Sequence, residues 1–191
     1  MNKHIIIDAD GILVMWNTQF SSWMDEIGYS IKNSDAYEIW DRYQISQEEA
    51  EALVQKFNMS PIIRHLEPIG GAVKAIGILR DHGYIFTVIS SLGDTFLQLT
   101  NRKANLYDLF GEDTFRDVIC LNIKESKTRE LSKFYNNEYF IEDNLKNASV
   151  GAVLGLRSIL LNYDYNTGHD ATGKIIRKDS WPEITDYILN N

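Results

Sequence analysis

The chain has 191 residues, an apolar fraction of 44% and a charged fraction of 24%, the proportions of a soluble globular protein. Its formal net charge of -8 gives no overall attraction to nucleic acid or to an anionic membrane, and neither is expected as a partner. One cysteine, Cys120, excludes a disulfide within the chain, and no apolar run approaches the length of a membrane span. These features favour a cytoplasmic protein.

The first predicted element is a buried strand that begins near His4 and ends at two carboxylates, Asp8 and Asp10, followed by Gly11. In open α/β sheets, ligands bind at the carboxyl ends of strands, and acidic residues there suit a hard cation and acid/base chemistry. Asp and Gly are also ordinary turn residues. On this stretch alone, a metal site and an acidic turn remain equally open.

Residues 16–66 are rich in aromatic side chains that recur at helical spacing, and no strand pattern interrupts them. Ser46 and Glu49 form a capping box that opens one of the predicted helices. Pro68 and the pair Gly70-Gly71 mark the return of the chain to the main body. The sequence therefore predicts a small helical module inserted after the first strand.

Beyond residue 70, predicted strands and helices alternate, which is the pattern of a parallel sheet flanked by helices. Residues 163–177 are polar and are predicted to form a loop or an extra hairpin. The predicted elements are a helix at about 71–82, a strand at 84–89, a helix at about 93–108, a strand at 118–121, a helix from Ser126, as N-cap, to about Tyr135, a strand at 139–141, a helix at about 145–154, a strand at 158–161 and a last helix from Ser180.

Polar groups with compatible chemistry follow four of the predicted strands. Asp8 and Asp10 follow the first strand, and Ser90-Ser91 follow the second. Lys127 begins the helix after the third strand, and Glu142-Asp143 follow the fourth. Because the carboxyl ends of parallel strands meet at one edge of a sheet, we expect these groups to converge.

These four groups, in this order, resemble the four motifs of the haloacid-dehalogenase-like phosphohydrolases, and the resemblance covers nearly the whole chain. It implies a Rossmann-like parallel sheet flanked by helices, with the core domain at 1–15 and 67–191. It also implies that residues 16–66 form a small helical cap. Pro68-Ile69-Gly70-Gly71 is similar to that family's return from such a cap.

The resemblance implies a phosphatase that works through an aspartyl-phosphate. Asp8 would be the nucleophile and Asp10 the general acid and base. A Mg²⁺ ion would be bound by the Asp8 side chain, the Asp10 backbone carbonyl and Asp143.

The same resemblance assigns the phosphoryl oxygens to Ser90, the Ser91 backbone N–H and Lys127. Glu142 would not be a direct ligand but would orient the metal or its bound water from the next shell of residues. Two alternatives stay open: Lys124 could replace Lys127, and Glu142 could be a plain charge at the end of its strand.

The expected substrate is a small phosphorylated molecule. Ile12-Leu13 and the segment 101–106 are similar to the 5′(3′)-deoxyribonucleotidase branch, which implies a nucleoside monophosphate. Aromatic planes of the helical module could then stack on a nucleobase, and the candidates are Trp16, Phe20, Trp40 and Tyr43. A sugar-phosphate phosphatase, a phosphomutase of similar fold and a non-catalytic binding protein on the same scaffold are the alternatives.

Overall fold

A six-stranded parallel sheet runs through the centre of the molecule. The structure, a computed structural model, describes residues 3–134 and 137–191. The strands are β1 (His4–Ile7), β2 (Ile85–Ser90), β3 (Phe115–Cys120), β4 (Tyr139–Glu142), β5 (Arg157–Leu161) and β6 (Ile176–Lys178). Their order in the sheet is β3-β2-β1-β4-β5-β6, and every pairing is parallel.

Eight α-helices are present in the described part of the chain. They are α1 (Trp16–Glu26), α2 (Ile39–Tyr43), α3 (Gln47–Asn58), α4 (Ala72–Asp81), α5 (Phe96–Phe110), α6 (Thr128–Leu131), α7 (Leu145–Val153) and α8 (Trp181–Asn190). A 3-10 helix at Pro61–His65 follows α3. The predicted α/β fold, a parallel sheet with helices on its faces, is confirmed.

The first strand alternates between the two sides of the sheet. Ile5 and Ile7 belong to the larger hydrophobic cluster, which also contains Phe20, Phe57 and other buried apolar residues of the 16–66 segment. Ile6 faces the smaller cluster on the other side, together with Ile89 and Phe140. Both faces of β1 are therefore buried. Its pairing with β2 on one side and β4 on the other places it in the interior of the sheet.

The helical segment leaves and rejoins the main body at adjacent points. The Met15 N–H donates to the Glu67 carbonyl oxygen at 2.9 Å, and the Ile69 N–H donates to the Leu13 carbonyl oxygen at 2.9 Å. Between these points the described residues form helices and loops and contribute no strand to the sheet. The two connections therefore run side by side.

Several local predictions are corrected by the structure. Of the two alternatives predicted for residues 163–177, the hairpin is not formed: a loop with a 3-10 helix at Asp164–Asn166 leads to β6, which pairs parallel to β5. The third strand begins at Phe115, earlier than its apolar run indicated. Helix α6 has Lys127 as its N-cap, although Ser126 Oγ still accepts the Thr128 N–H. The predicted end of that helix, Tyr135, lies outside the described residues.

Candidate active site

The two acidic pairs meet because their strands are neighbours. Asp8 follows β1 directly, and its N–H donates to the Ile141 carbonyl oxygen of β4 at 3.0 Å. Glu142 ends β4 and Asp143 follows it. Asp8, Glu142 and Asp143 are all buried, and one carboxylate oxygen from each lies within 4.8 Å of the others. Three carboxylates are thus gathered at the carboxyl edge of the sheet.

Lys127 lies between two of these carboxylates. Its Nζ is 2.8 Å from Oδ1 of Asp8 and 2.7 Å from Oε1 of Glu142, and its side chain is only 2% exposed. Lys124, the alternative cation, is 68% exposed and pairs with Glu51 of α3 at 2.7 Å. The structure therefore brings Lys127, rather than Lys124, against Asp8.

Glu142 has both oxygens occupied by donors from the protein. Oε1 accepts from Lys127 and, at 2.8 Å, from the Asn147 side-chain amide. Oε2 accepts the backbone N–H groups of Asp143 and Asn144, each at 2.8 Å. These charge-assisted hydrogen bonds fix the loop after β4 and hold Lys127 in place.

Asp8 and Asp143 each keep one oxygen without a hydrogen bond to the described residues. Asp8 Oδ1 contacts Lys127 and the Ala9 N–H, whereas Asp143 Oδ2 accepts the Tyr165 hydroxyl at 2.6 Å. The remaining oxygens, Oδ2 of Asp8 and Oδ1 of Asp143, are available to a ligand. Both residues border the cleft described below.

Burial dominates the electrostatics of this cluster. It raises the pKa of Asp8 to about 7, against the opposing effect of Lys127, and raises the pKa of Asp143 well above its usual value. Although burial disfavours both charges, the Lys127–Glu142 pairing lowers the pKa of Glu142 and, with Asp8, raises that of Lys127. Burial thus disfavours the charged forms of Asp8 and Asp143, and Lys127 contacts only one of these two carboxylates. The oxygen donors of the cluster suit a hard divalent cation, whose charge would offset this effect of burial.

Asp10 lies at the side of the cluster and is held by two residues from β2 and α5. Its Oδ1 is 2.5 Å from Nη2 of Arg102, and its Oδ2 accepts the Ser90 hydroxyl at 3.3 Å. Ser90 is fully buried at the end of β2, whereas Ser91 borders the cleft. The predicted site residues of all four motifs therefore lie at one edge of the sheet.

A cleft of about 430 Å³ opens above this edge, between the strand ends and the helical segment. Its floor includes Asp8, Asp10, Lys127 and Asp143. The inserted segment also lines this cleft, and its lining residues include Trp16, Tyr37, Ile39, Val54 and Asn58.

The four aromatic candidates separate into three environments. Trp16 borders the cleft, and its indole N–H donates to Asn58 Oδ1 at 2.9 Å. Phe20 and Tyr43 are core residues, 1% and 4% exposed, so the expectation that they face substrate is corrected. Trp40 lies in a separate surface depression. Phe20 and Tyr43 pack inside the apolar core of a small helical module. Helical periodicity does not distinguish such core residues from residues that face a cleft.

Some residues at the site were not assigned a role from the sequence, among them Tyr37, which lines the cleft. Tyr165 contacts Asp143, and Asn147 contacts Glu142, but isolated polar residues in loops and helix starts carry no signal of this kind. Arg102 contacts Asp10 and lies within the segment 101–106. The similarity of that segment to the deoxyribonucleotidase branch was the sequence signal that could have identified Arg102.

The comparisons with known proteins agree with this geometry at the level of fold. No family model matches the chain. The fold is that of the haloacid-dehalogenase-like hydrolases. A predicted phosphatase from Clostridium acetobutylicum superimposes with a TM-score of 0.72 at 13% identity and covers 100% of both chains. A single-residue variant of CbbY from Rhodobacter sphaeroides, in complex with xylulose-(1,5)bisphosphate, has a TM-score of 0.60 at 15% identity, and the match covers 96% of each chain.

One curated relative is similar in sequence. It is an uncharacterised 32.4 kDa protein of Enterobacteria phage T4, 27% identical, with 75% of this chain and 54% of the relative covered. The chain therefore spans about half the length of that relative. Among the described residues, no helix combines the length and apolar character needed to cross a membrane.

Proposed function

We propose that this protein is a Mg²⁺-dependent phosphatase that hydrolyses a small phosphomonoester through an aspartyl-phosphate on Asp8. The observation that carries the proposal is the buried contact between Lys127 and Asp8, beside Asp143, at the floor of a cleft. A carboxylate with one free oxygen can act as a nucleophile in phosphoryl transfer, and an adjacent ammonium can stabilise the negative charge of the phosphoryl group.

In the first half of the reaction, Oδ2 of Asp8 attacks phosphorus while the bond from phosphorus to the leaving oxygen breaks. Lys127 and the Ser91 backbone N–H stabilise the phosphoryl oxygens. Ser90 lies behind these groups, where its hydroxyl donates to Asp10. Asp10 donates a proton to the leaving oxygen, which departs as an alcohol.

In the second half, water attacks the phosphorus of the aspartyl-phosphate. Asp10 accepts a proton from that water, and the bond from phosphorus to Asp8 breaks. Inorganic phosphate leaves, and the Asp8 carboxylate is regenerated. The Asp10 side chain is 24% exposed, so it can donate a proton to the leaving alcohol and accept one from the attacking water.

The donor set suits Mg²⁺ held by Asp8, Asp143 and the Asp10 carbonyl oxygen, with water completing the shell. When bound, the ion would offset the repulsion between the carboxylates and the substrate phosphate. Glu142 is a less suitable ligand because four donors already occupy its oxygens.

We further propose that residues 16–66 act as a cap over a core formed by 1–15 and 67–191. The side-by-side connections at Met15–Glu67 and Leu13–Ile69 support a single boundary between the two parts. The ion pair between Glu51 and Lys124 joins the two parts at the cleft.

We propose nucleoside monophosphates as the substrate class. Trp16 and Tyr37 of the inserted segment line the same cleft as Asp8 and Asp10. Stacking of a base on an aromatic side chain contributes about 1–3 kcal/mol. Sugar phosphates are the second candidate, because a variant of CbbY, a protein of this fold, forms a complex with xylulose-(1,5)bisphosphate.

The test is a phosphate-release screen over nucleoside monophosphates and sugar phosphates, with Mg²⁺ or with EDTA. We expect Mg²⁺-dependent turnover that Asp8→Asn abolishes. Lys127→Ala should lower kcat by at least about a hundredfold, whereas Lys133→Ala, which removes an exposed lysine that pairs with Glu130 outside the cleft, should change it less than about threefold. Activity of the pure Asp8→Asn variant at the unmodified rate would overturn the covalent mechanism. Isomerised sugar phosphate without phosphate release would instead indicate a phosphomutase.

Substrate class is tested by Trp16→Ala. We expect KM for nucleoside monophosphates to rise about tenfold or more and KM for sugar phosphates to stay unchanged. Trp40→Ala is the control, because that ring lies in another depression. A higher kcat/KM for sugar phosphates than for nucleotides would favour the second candidate.

A further inference from the structure

Arg102 of α5 is a buried cation behind the cleft. Its side chain is 0% exposed, and its Nη2 contacts Oδ1 of Asp10 at 2.5 Å. Its other two nitrogens, Nε and Nη1, are buried and have no hydrogen-bond partner among residues 3–134 and 137–191. Asp10 is thus the one carboxylate with which Arg102 forms an ion pair in the described chain.

This arrangement contributes little to stability. Removing a guanidinium from water costs several kcal/mol, and a single carboxylate that is itself partly exposed returns only part of that cost. Apolar residues of similar volume commonly replace buried ion pairs without loss of stability. The role of Arg102 therefore lies in its contact with Asp10 rather than in stability.

The geometry of Asp10 supplies that reason. Arg102 holds one carboxylate oxygen and the Ser90 hydroxyl holds the other, so the side chain has a single orientation at the cleft. Ser90 belongs to the strand end, whereas Arg102 reaches Asp10 from a helix on the face of the sheet. Two rigid elements thus fix the group proposed to transfer protons.

We propose that Arg102 is a positioning residue that orients the Asp10 carboxylate toward the leaving-group oxygen. The inference rests on the proposed phosphatase function. It assigns Arg102 no contact with substrate, because Arg102 does not border the cleft. Misplacement of a reacting group by about 1 Å costs on the order of a hundredfold in rate.

The central variant is Arg102→Met, which keeps an apolar side chain in the buried space and removes the charge. We expect it to fold with unchanged or higher stability and to lower kcat about a hundredfold, with KM changed less than about threefold. The loss should be at least about tenfold greater for an alkyl phosphate than for p-nitrophenyl phosphate, whose leaving group needs no proton.

Two further variants separate positioning from structure. Arg102→Lys should restore part of the lost kcat, because an ammonium can contact one oxygen of Asp10 without the planar fork of arginine. Arg157→Met is the matched control: Arg157 begins β5 at the opposite edge of the sheet and bonds the Tyr139 hydroxyl at 2.8 Å. It should leave kcat and the leaving-group dependence unchanged.

A folded Arg102→Met variant with normal kcat and normal leaving-group dependence would overturn the inference. If the unmodified protein hydrolyses no phosphomonoester, the proposed function fails, and the Arg102–Asp10 contact is tested by ¹⁵N NMR. We then expect the Arg102 Nε–H signal, identified by its absence in Arg102→Met, to shift in Asp10→Asn and not in Asp164→Asn. An unshifted signal in Asp10→Asn would also overturn it.

Discussion

The ammonium of Lys127 and the carboxylate of Glu142 form a 2.7 Å ion pair in which neither side chain is more than 2% exposed. The pair brings the start of α6 against the end of β4, and it leaves the second side of Lys127 to Asp8. Glu142 therefore determines where the cation lies relative to the proposed nucleophile.

Replacing Glu142 by Gln should destabilise the protein by about 3 kcal/mol, because a buried ammonium loses a charged partner and an amide cannot accept from all four donors. The measurement is urea unfolding. The double variant Glu142→Met/Lys127→Met should lose less than the sum of Glu142→Met and Lys127→Met. Additive losses within about 0.5 kcal/mol would contradict a coupled pair.

Gly11→Ala should disturb Asp143. Gly11 has a φ of +75°, and a Cβ at this position would overlap the Asp143 carboxylate. We expect a loss of about 2 kcal/mol or more from backbone strain and overlap, and a smaller rise in melting temperature on addition of Mg²⁺. Gly173→Ala is the control, because its φ is +63° with no neighbouring atom within 4 Å. An equal effect of both variants on the Mg²⁺ response would contradict the prediction.

Trp181→Phe should loosen the loop that carries Asp10. The Trp181 indole N–H donates to the Ile12 carbonyl oxygen at 2.9 Å, and the side chain is fully buried. We expect the free energy of unfolding to fall by about 1–3 kcal/mol, because a buried carbonyl loses its donor. We also expect kcat to fall, because this loop carries Asp10. Trp23→Phe, whose indole has no such bond in the described residues, should lose less on denaturant unfolding.

His4 should make stability depend on pH. Burial lowers its pKa, with a smaller lowering from Arg116, against the raising effects of Glu138 and Asp117. The unfolded chain therefore binds the proton first, and stability falls as pH drops below the usual histidine pKa of about 6.5 and through the lower folded-state value. Urea midpoints between pH 8 and pH 5 measure this effect. His4→Asn should have a flatter profile than the unmodified protein, and an identical profile would contradict the assignment to His4.

The sequence by itself was sufficient for five of the six strands and for the positions of the acidic motifs. A run such as Ile5-Ile6-Ile7 is buried on both faces wherever it lies, and Asp8 must follow it. Parallel strands place their carboxyl ends at one edge, so the convergence of Asp8, Ser90 and Asp143 could be predicted without coordinates.

Only the tertiary structure decided which side chains contact one another. The pairings of Lys127 with Glu142 and of Arg102 with Asp10 join distant parts of the chain, and no local spacing encodes them. The same holds for Phe20 and Tyr43, whose helical periodicity is identical for a core face and a cleft face. Local patterns determine which surface of an element is apolar, whereas packing determines what that surface meets.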